Sequence, residues 1–502
     1  MSGSARRLPN IIIVLIDTLR ADHLSCYGYP RRTSPSIDAI AEKSCLYERA
    51  ISPAAWTPPA HASLFTGAYP SRHGVDRSHL VLDPDLIPLP ELLRSHGYRT
   101  FGISSNYWLS RETRFDRGFD EFVHSWQLVQ TGGANAPLQR QQRRQDLGLN
   151  RAGLDSKGLL PAVGNFANEL FEKATKRLRV SFHAYDDGAW RVNHIVRRWL
   201  PCWKRDDRPF FAFVHYMEPH IRYVAPGRYH TMHVPRELAG ARVQRLNQDP
   251  WKFLAGCVEM SAEDFEILRG LYDGEISYVD HRIGQLYGML RDEGLLDDTA
   301  LILTSDHGEN LGDHSLMDHA YCLYDTLLQV PLIIHWQGVF TDGKRVGQQV
   351  QNLDIFPTIL ELAGVRDDGV WKQVQGSSLL NGAAKEGRVA FAEYLEPQPP
   401  LPVLRKRFPG FEGTQYDRTL RAVRTQDYKY VWASDGQHEL YDLSRDAGEE
   451  HNVIGEQADK GRELRTALEE WLASFRHSAR DQENIELDED MVKRLEELGY
   501  LA

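Results

Sequence analysis

The sequence predicts an α/β fold: a largely parallel central sheet sandwiched by helices, followed by a small C-terminal α+β subdomain. Apolar runs without alternation, typical of strands buried on both faces, recur along the first two thirds of the chain. Helical patterns separate these runs, and strands that alternate with helices indicate a parallel sheet. The predicted strands lie at 11–16, 210–216, 300–305 and 330–335, and helical patterns at 276–293 and 354–363.

The predicted domain organisation follows changes in composition. Residues 1–386 are predicted to form the main α/β domain. Within it, residues 127–180 are interpreted as an insertion: residues 127–158 are rich in Gln, Arg, Gly and Asn, and an amphipathic basic helix is predicted at 159–180. That helix is interpreted as a lid, and a membrane-surface or partner-binding helix is the alternative. Residues 387–502 are predicted to hold short antiparallel strands, a helix at 458–475 and a tail.

Bulk composition excludes several classes of protein. The 502 residues carry a formal net charge of -11, whereas a sequence-independent nucleic-acid binder would normally be basic. The apolar run at 11–16 is too short to cross a bilayer, so no transmembrane segment is expected. Five cysteines without paired spacing favour free thiols in a reducing compartment, and we expect a cytoplasmic protein.

Acidic and imidazole side chains follow three of the predicted strands. Asp17, His220 and Asp306 would lie just past the carboxyl ends of their strands, where functional groups gather in such sheets. His307 follows Asp306 directly, and Glu309, Asp313, His314 and His319 come soon after it. Carboxylates and imidazoles in such a cluster are typical metal ligands. The alternative is that the two aspartates only cap turns or helices.

Thr57 is a candidate nucleophile. It is followed directly by Pro58, and Gly67 comes ten residues after it, which predicts a helix that starts near Thr57 and ends at the glycine. Its hydroxyl would then lie among free backbone N–H groups at the positive end of the helix, a favourable place for phosphate or sulfate. A simple helix cap is the alternative interpretation of a Thr-Pro pair.

A third cluster ends the strand at 210–216. His220 could protonate a leaving group or bind a second metal, and Glu218 could support it. His215 lies within the strand and is interpreted as a buried structural histidine.

Taken in order, these motifs resemble the sulfatase-like family of the alkaline phosphatase superfamily, over most of the chain outside 127–180. The matching pieces are Asp17-Thr-Leu-Arg-Ala-Asp-His-Leu24, the Thr57 segment, Met217-Glu-Pro-His220, Ser305-Asp-His-Gly-Glu309 with Leu311-Gly-Asp-His314, Val330-Pro-Leu-Ile-Ile334, Asp354-Ile-Phe-Pro-Thr-Ile359 and Asp427-Tyr-Lys-Tyr430. The resemblance implies that Asp17, Asp306 and His307 bind a metal and that Thr57, the nucleophile, also touches it. It further implies that His220 faces the leaving group and that His319 stands where many members have a substrate-binding lysine.

The sequence departs from this family at several positions. Thr57 replaces the cysteine or serine that is converted to formylglycine, and no cysteine is followed two residues later by proline. His61 replaces an arginine, Thr18 a second acid, and Asn106 lies where a Lys-x-His pair is expected. We therefore predict His61 and Asn106 as substrate-binding residues. Histidine ligands favour zinc or manganese, with calcium as an alternative, and a second metal ion is left open.

The predicted activity is metal-dependent hydrolysis of phosphate mono- or diesters or phosphonate monoesters, through a covalent intermediate on Thr57. Threonine has no second hydroxyl from which to expel the bound group, so an activated water must hydrolyse the intermediate. The alternatives are a sulfuric ester hydrolase, a phosphoryl-group transferase and a non-catalytic scaffold. The substrate is expected to be a small-molecule, lipid or glycan ester. The sequence leaves the oligomeric state open.

Overall fold

A computed structural model describes residues 8–127, 186–341, 343–380 and 387–474. The predicted helix at 159–180, nearly all of the predicted insertion at 127–180 and the tail after residue 474 lie outside the described residues.

A central eight-stranded sheet organises the larger part of the structure. Its strand order is β10-β2-β9-β6-β1-β5-β3-β4, and all neighbours are parallel except that β9 runs antiparallel to β2 and β6. A short hairpin pairs β7 with β8. The strands are β1 Asn10–Ile16, β2 Cys45–Ile51, β3 Arg99–Ser104, β4 Glu121–His124, β5 Phe210–Tyr216, β6 Thr299–Ser305, β7 Asn310–Leu311, β8 Met317–Asp318, β9 Gln329–His335 and β10 Lys344–Gln351.

Helices cover both faces of this sheet. Along β1, Ile12, Val14 and Ile16 belong to one hydrophobic core, while Ile11, Ile13 and Leu15 belong to a second core on the opposite face. The helices are α1 Pro35–Ala41, α2 Thr57–Thr66, α3 Pro70–His73, α4 Leu89–Ser95, α5 Ala189–Arg205, α6 Ala241–Arg245, α7 Pro250–Leu254, α8 Ala262–Asp292, α9 Asp325–Leu328, α10 Ile355–Leu362, α11 Asp368–Trp371, α12 Leu401–Arg407 and α13 Ala458–Ala473.

A smaller antiparallel sheet forms the C-terminal part, as predicted. Its order is β11-β12-β13-β14, with β11 Ala390–Tyr394, β12 Leu420–Arg424, β13 Tyr428–Ala433 and β14 Glu439–Asp442. The helix α13 packs on it through Leu464 and Leu468. The boundary at residue 386 stays a prediction.

The α/β class and all four strands predicted from apolar runs are confirmed. The helical pattern at 276–293 is the second half of α8, which is 31 residues long and begins with a capping box at Ser261 and Asp264. No helix of the described part is both long enough and apolar enough to cross a membrane.

Candidate metal and nucleophile site

Two neighbouring strands bring Asp17 and Asp306 together. In the parallel pair β1–β6, Ile16 lies opposite Ser305, so the next residue of each strand is an aspartate at the same edge of the sheet. With His307 they form a group whose candidate ligand atoms all lie within 4.8 Å of one another. The structure thus brings together three residues predicted as metal ligands.

The imidazole of His307 is oriented with Nε2 toward this centre. Its Nδ1 donates to the carbonyl of Gly308 at 2.9 Å, which leaves the lone pair on Nε2. Nε2 lies 3.3 Å from Asp306 Oδ2 and 3.9 Å from Asp17 Oδ1. Burial lowers the pKa of His307 well below its usual value, so the ring is neutral, as a metal ligand must be.

The two carboxylates fit a divalent cation. Burial raises the pKa of Asp306 well above its usual value, and the nearby charge of Asp17 adds to this effect. Burial acts in the same direction on Asp17, but its contact with His215 and the nearby His220 hold the pKa of Asp17 well below its usual range. Asp17 Oδ1 and Asp306 Oδ2 are buried and have no hydrogen-bond partner among the described residues. Such oxygens are ready to bind a cation.

Thr57 joins this centre. It is fully buried, and its Oγ1 lies 3.3 Å from His307 Nε2. The helix α2 starts at Thr57 and ends at Thr66, and Gly67 directly after it has the left-handed conformation that glycine favours (φ 68°). The predicted nucleophile therefore lies beside the predicted ligands.

The predicted cradle of free backbone N–H groups at this helix start is absent. Pro58 and Pro59 carry no N–H group, and the N–H of Ala60 donates to the carbonyl of Trp56 at 3.3 Å. Trp56, rather than Thr57, is the N-cap. This helix start therefore offers few N–H groups to an anion.

His61 lies one helical turn after Thr57. Its Nδ1 donates to the carbonyl of Thr57 at 2.9 Å and lies 3.5 Å from Asp306 Oδ2. Burial lowers the pKa of His61 to about 3, so the ring is neutral. These contacts fix the turn that carries Thr57, and substrate binding by His61 stays a prediction.

Asn106 and His215 both contact Asp17. The Asn106 amide donates to Asp17 Oδ2 at 2.8 Å, and His215 Nε2 lies 3.3 Å from the same oxygen. Both side chains are fully buried. Asn106 thus lies in the site, where it orients a candidate ligand, and its contact with substrate stays a prediction. His215 is buried, as predicted, but it also contacts a candidate ligand, which the sequence interpretation missed.

His220 faces the site from the end of β5. Its Nδ1 donates to the carbonyl of Ile221 at 2.7 Å, and its ring lies 5.1 Å from that of His319. Glu218 does not turn toward it: the carboxylate accepts hydrogen bonds from the backbone N–H groups of Asp187 and Ala189 at the start of α5. The suggested support of His220 by Glu218 is therefore wrong.

His319 lies between two acids on one side and the metal-ligand centre on the other. Its Nδ1 is 2.6 Å from Asp318 Oδ1 and 3.1 Å from Glu309 Oε1, while its ring lies 4.5 Å from that of His307. Burial would lower the pKa of His319, but Asp318 and Glu309 raise it well above its usual value. These two acids therefore favour the protonated, cationic form of the ring.

Two other residues of the predicted cluster lie elsewhere. Asp313 pairs with Arg20 at 2.7 Å, and the ring of His314 stacks on Tyr324 with centroids 3.7 Å apart. Asp318, which the sequence interpretation did not consider, enters because β7 pairs with β8, placing Asn310 opposite Asp318. An acid directly before His319 was the only signal in the sequence that could have indicated it.

Comparison with known proteins agrees with this geometry. The sulfatase family model matches residues 9–365, and a model of the C-terminal part of N-sulphoglucosamine sulphohydrolase matches residues 312–478. The chain is 27% identical to an uncharacterised sulfatase, YidJ, of Escherichia coli (93% of this chain, 88% of the relative). It is 24% identical to an N-acetylglucosamine-6-O-sulfatase of Bacteroides thetaiotaomicron (94% and 88%).

Among solved structures, a phosphonate monoester hydrolase of Agrobacterium radiobacter is similar, with a TM-score of 0.62 and 21% identity over 93% of this chain and 95% of that one. The family model spans the two strand-end aspartates, His307, His220 and the Thr57 helix together. The chain therefore belongs to the sulfatase family, a family of ester hydrolases within the alkaline phosphatase superfamily.

Proposed function

We propose that this protein is a metal-dependent hydrolase of phosphate mono- or diesters or phosphonate monoesters, with Thr57 as its nucleophile. The observation that carries the proposal is the position of Thr57 Oγ1, 3.3 Å from a ligand nitrogen of the Asp17–Asp306–His307 group. A second support is chemical: threonine cannot form the formylglycine on which most sulfatases depend.

The reaction needs an activated hydroxyl and a neutralised ester. A divalent cation held by Asp17, Asp306 and His307 would lower the pKa of the threonine hydroxyl and offset charge on the ester oxygens. Thr57 Oγ1 then forms a bond to phosphorus while the bond to the leaving oxygen breaks. Burial lowers the pKa of His220 and its Nδ1 donates to the carbonyl of Ile221, so its Nε2 would take the hydroxyl proton of Thr57 and pass it to that oxygen. Water next attacks phosphorus, the bond from phosphorus to Thr57 Oγ1 breaks, and a proton of that water restores the hydroxyl of Thr57.

The remaining polar groups suit an anionic substrate. His319, kept cationic by Asp318 and Glu309, would hold a non-bridging oxygen, which is needed because the helix start offers few N–H donors. Asn106 would complete the anion site, whereas His61, neutral and with its one N–H donated to the Thr57 carbonyl, would offer the lone pair of Nε2 to a cation rather than to the anion. Zinc or manganese suits the imidazole and carboxylate ligands best. A second ion on Glu309, Asp318 and His319, whose candidate atoms also lie within 4.8 Å of one another, is the alternative to this role, because it would require the neutral form of His319.

Sulfate ester hydrolysis is the second candidate, favoured by the family itself and by the sulfatase activity in the names of both curated relatives. A transferase that passes the bound group to an alcohol would share the same first step. The three activities are separated by product analysis on phosphate, phosphonate and sulfate esters, each with and without a candidate alcohol acceptor.

Thr57→Val tests the proposal. This change removes the hydroxyl at nearly constant volume, and we expect a loss of at least about 1000-fold in kcat with zinc or manganese present. Thr57→Ser is the matched control and should keep measurable turnover. Acid-quenched wild-type protein should carry one phosphoryl group on the peptide that contains Thr57. Full metal-dependent turnover by Thr57→Val would refute the assignment, and absence of bound or stabilising metal would favour a scaffold.

A further inference from the structure

The segment that carries His319 packs mainly against the C-terminal sheet. This segment, residues 316–325, is named here the His319 segment. Apart from Met317, which packs in one core of the central sheet, its buried apolar side chains share a hydrophobic core with strands of the C-terminal sheet. The members from the segment are Leu316, Ala320, Tyr321, Cys322 and Leu323, and those from the sheet include Ala390, Ala392, Tyr394, Leu420, Ala422 and Val431.

The backbone of the His319 segment needs external support. Asp318 (φ 67°) and Tyr321 (φ 63°) both adopt the left-handed conformation, which is unfavourable for residues other than glycine. Each such residue costs about 1–3 kcal/mol and persists only where its surroundings fix it. The contacts of the segment with the rest of the chain must therefore supply that free energy.

A buried ion network from the C-terminal sheet provides such contacts. Lys429 is fully buried, and its Nζ donates to the carbonyl of Leu323 at 2.9 Å. The same Nζ pairs with Asp325 at 2.7 Å and with Glu449 at 2.5 Å. Glu449 in turn accepts from the backbone N–H of Asp325 at 2.6 Å. Lys429 thus binds the end of the segment both directly and through Glu449.

Two further contacts reinforce this network. Arg424, the neighbour of Lys429 across β12 and β13, pairs with Asp325 at 2.7 Å. The hydroxyl of Tyr321 donates to the carbonyl of Pro399 at 2.5 Å. The other end of the segment is fixed by the pairing of β8 with β7. His319 therefore lies between an anchor in the larger domain and an anchor in the C-terminal sheet.

We propose that Lys429 is a positioning residue for the active site: by binding the His319 segment, it keeps the imidazole of His319 against His307 and His220. The C-terminal sheet then completes the catalytic site without touching substrate. This inference rests on the proposed function of His319. Losing the Nζ contacts would let the segment shift, and a displacement of about 1 Å can lower a rate by about 100-fold.

A double-mutant cycle on kcat/KM tests the proposal, with Lys429→Met, His319→Ala and the double variant, using the aryl ester that wild type turns over fastest. We expect Lys429→Met to lower kcat/KM by about 10- to 100-fold in the wild-type background. In the His319→Ala background the same change should cost less than about twofold, because the two residues act as one unit. Equal losses in both backgrounds, or no loss in wild type, would overturn the proposal.

A matched control and a second readout separate positioning from general stability. Arg388→Met removes a partly buried ion pair, with Asp354, that also joins the C-terminal part to the larger domain but does not touch the His319 segment. It should leave kcat/KM within about threefold. Amide hydrogen exchange of residues 316–325 should rise in Lys429→Met and not in Arg388→Met. Unchanged exchange in Lys429→Met would refute the positioning role, whatever the substrate.

If Lys429→Met fails to fold, Tyr321→Phe replaces it in the same cycle, since it removes only the hydroxyl bound to Pro399. The same pattern is expected with a smaller loss, about three- to tenfold, and additive losses would again overturn the proposal. Full activity of His319→Ala alone, together with raised amide hydrogen exchange in Lys429→Met, would instead refute the proposed role of His319. The inference that Lys429 holds the His319 segment in place would still stand.

Discussion

Replacing Asp306 by asparagine should stabilise the metal-free protein and abolish its response to a cation. Asp306 Oδ1 accepts from the backbone N–H groups of His307 at 2.9 Å and Thr18 at 3.3 Å, and an amide oxygen preserves both bonds. Oδ2 has no hydrogen-bond partner in the described part of the chain and lies 3.3 Å from His307 Nε2. An amide nitrogen there can donate to that imidazole and carries no charge to oppose Asp17.

The expected magnitudes follow from these contacts. Removing an unsatisfied buried carboxylate is worth about 1–3 kcal/mol in the metal-free protein. A chain of this length unfolds with an entropy of about 1 kcal/mol per kelvin, so the Tm should rise by about 1–3 °C. In wild type, a cation at 100 times its Kd adds about 2.7 kcal/mol, or about 3 °C. The asparagine variant should show little of this second increase.

Differential scanning calorimetry of both proteins checks the prediction, first after chelation and then during titration with zinc or manganese. Asp313→Asn is a suitable control, because Asp313 is paired with Arg20 outside the candidate metal centre. That variant should lose stability and keep the response to the cation. The reasoning fails if Asp306→Asn lowers the metal-free Tm and still responds to metal as wild type does.

Three further predictions concern single side chains. Asn106→Ala removes the amide that holds Asp17 Oδ2 at 2.8 Å, so metal affinity, measured by calorimetric titration, should fall about 10- to 100-fold. Thr18→Val removes a buried hydroxyl without a hydrogen-bond partner in the described residues, so the chelated protein should gain about 1 kcal/mol in denaturant unfolding. Burial raises the pKa of Asp280 from 3.8 to about 6, so the wild-type free energy of unfolding falls as pH rises across that range. Asp280→Asn lacks this loss, and its stability relative to wild type should therefore rise between pH 4 and 6, then stay constant above.

The strands that the sequence predicts correctly are those whose own residues form a pattern typical of a buried strand. The run at 11–16 is apolar throughout, so only a strand covered on both faces can bury it. By contrast, β2 reads Cys-Leu-Tyr-Glu-Arg-Ala-Ile and β10 reads Lys-Arg-Val-Gly-Gln-Gln-Val-Gln. Neither pattern identifies a strand by itself: β2 and β10 are stabilised by pairing with each other, and β2 also pairs with β9.

The residues of the candidate site likewise fall into those that the sequence could predict and those that it could not. Asp17 and Asp306 could be predicted because each follows a buried strand, and the carboxyl ends of parallel strands share one edge. The role of His215 depends on strand register, which places it opposite Leu15 and so beside Asp17. The role of Asp318 depends on the hairpin of β7 and β8, whose strands are two residues long. Strand register and such short hairpins are set by pairing between segments, so the residues of one segment alone do not predict them.

The helix that presents the nucleophile has no face toward solvent. All ten residues of α2 are buried, and a side chain at Gly67 would place its Cβ 2.7 Å from the ring of Phe356. Almost any substitution on this helix therefore costs packing free energy before it alters chemistry. Descendants of such a protein would acquire new substrates more readily through exposed loops near the site than through the helix that carries Thr57.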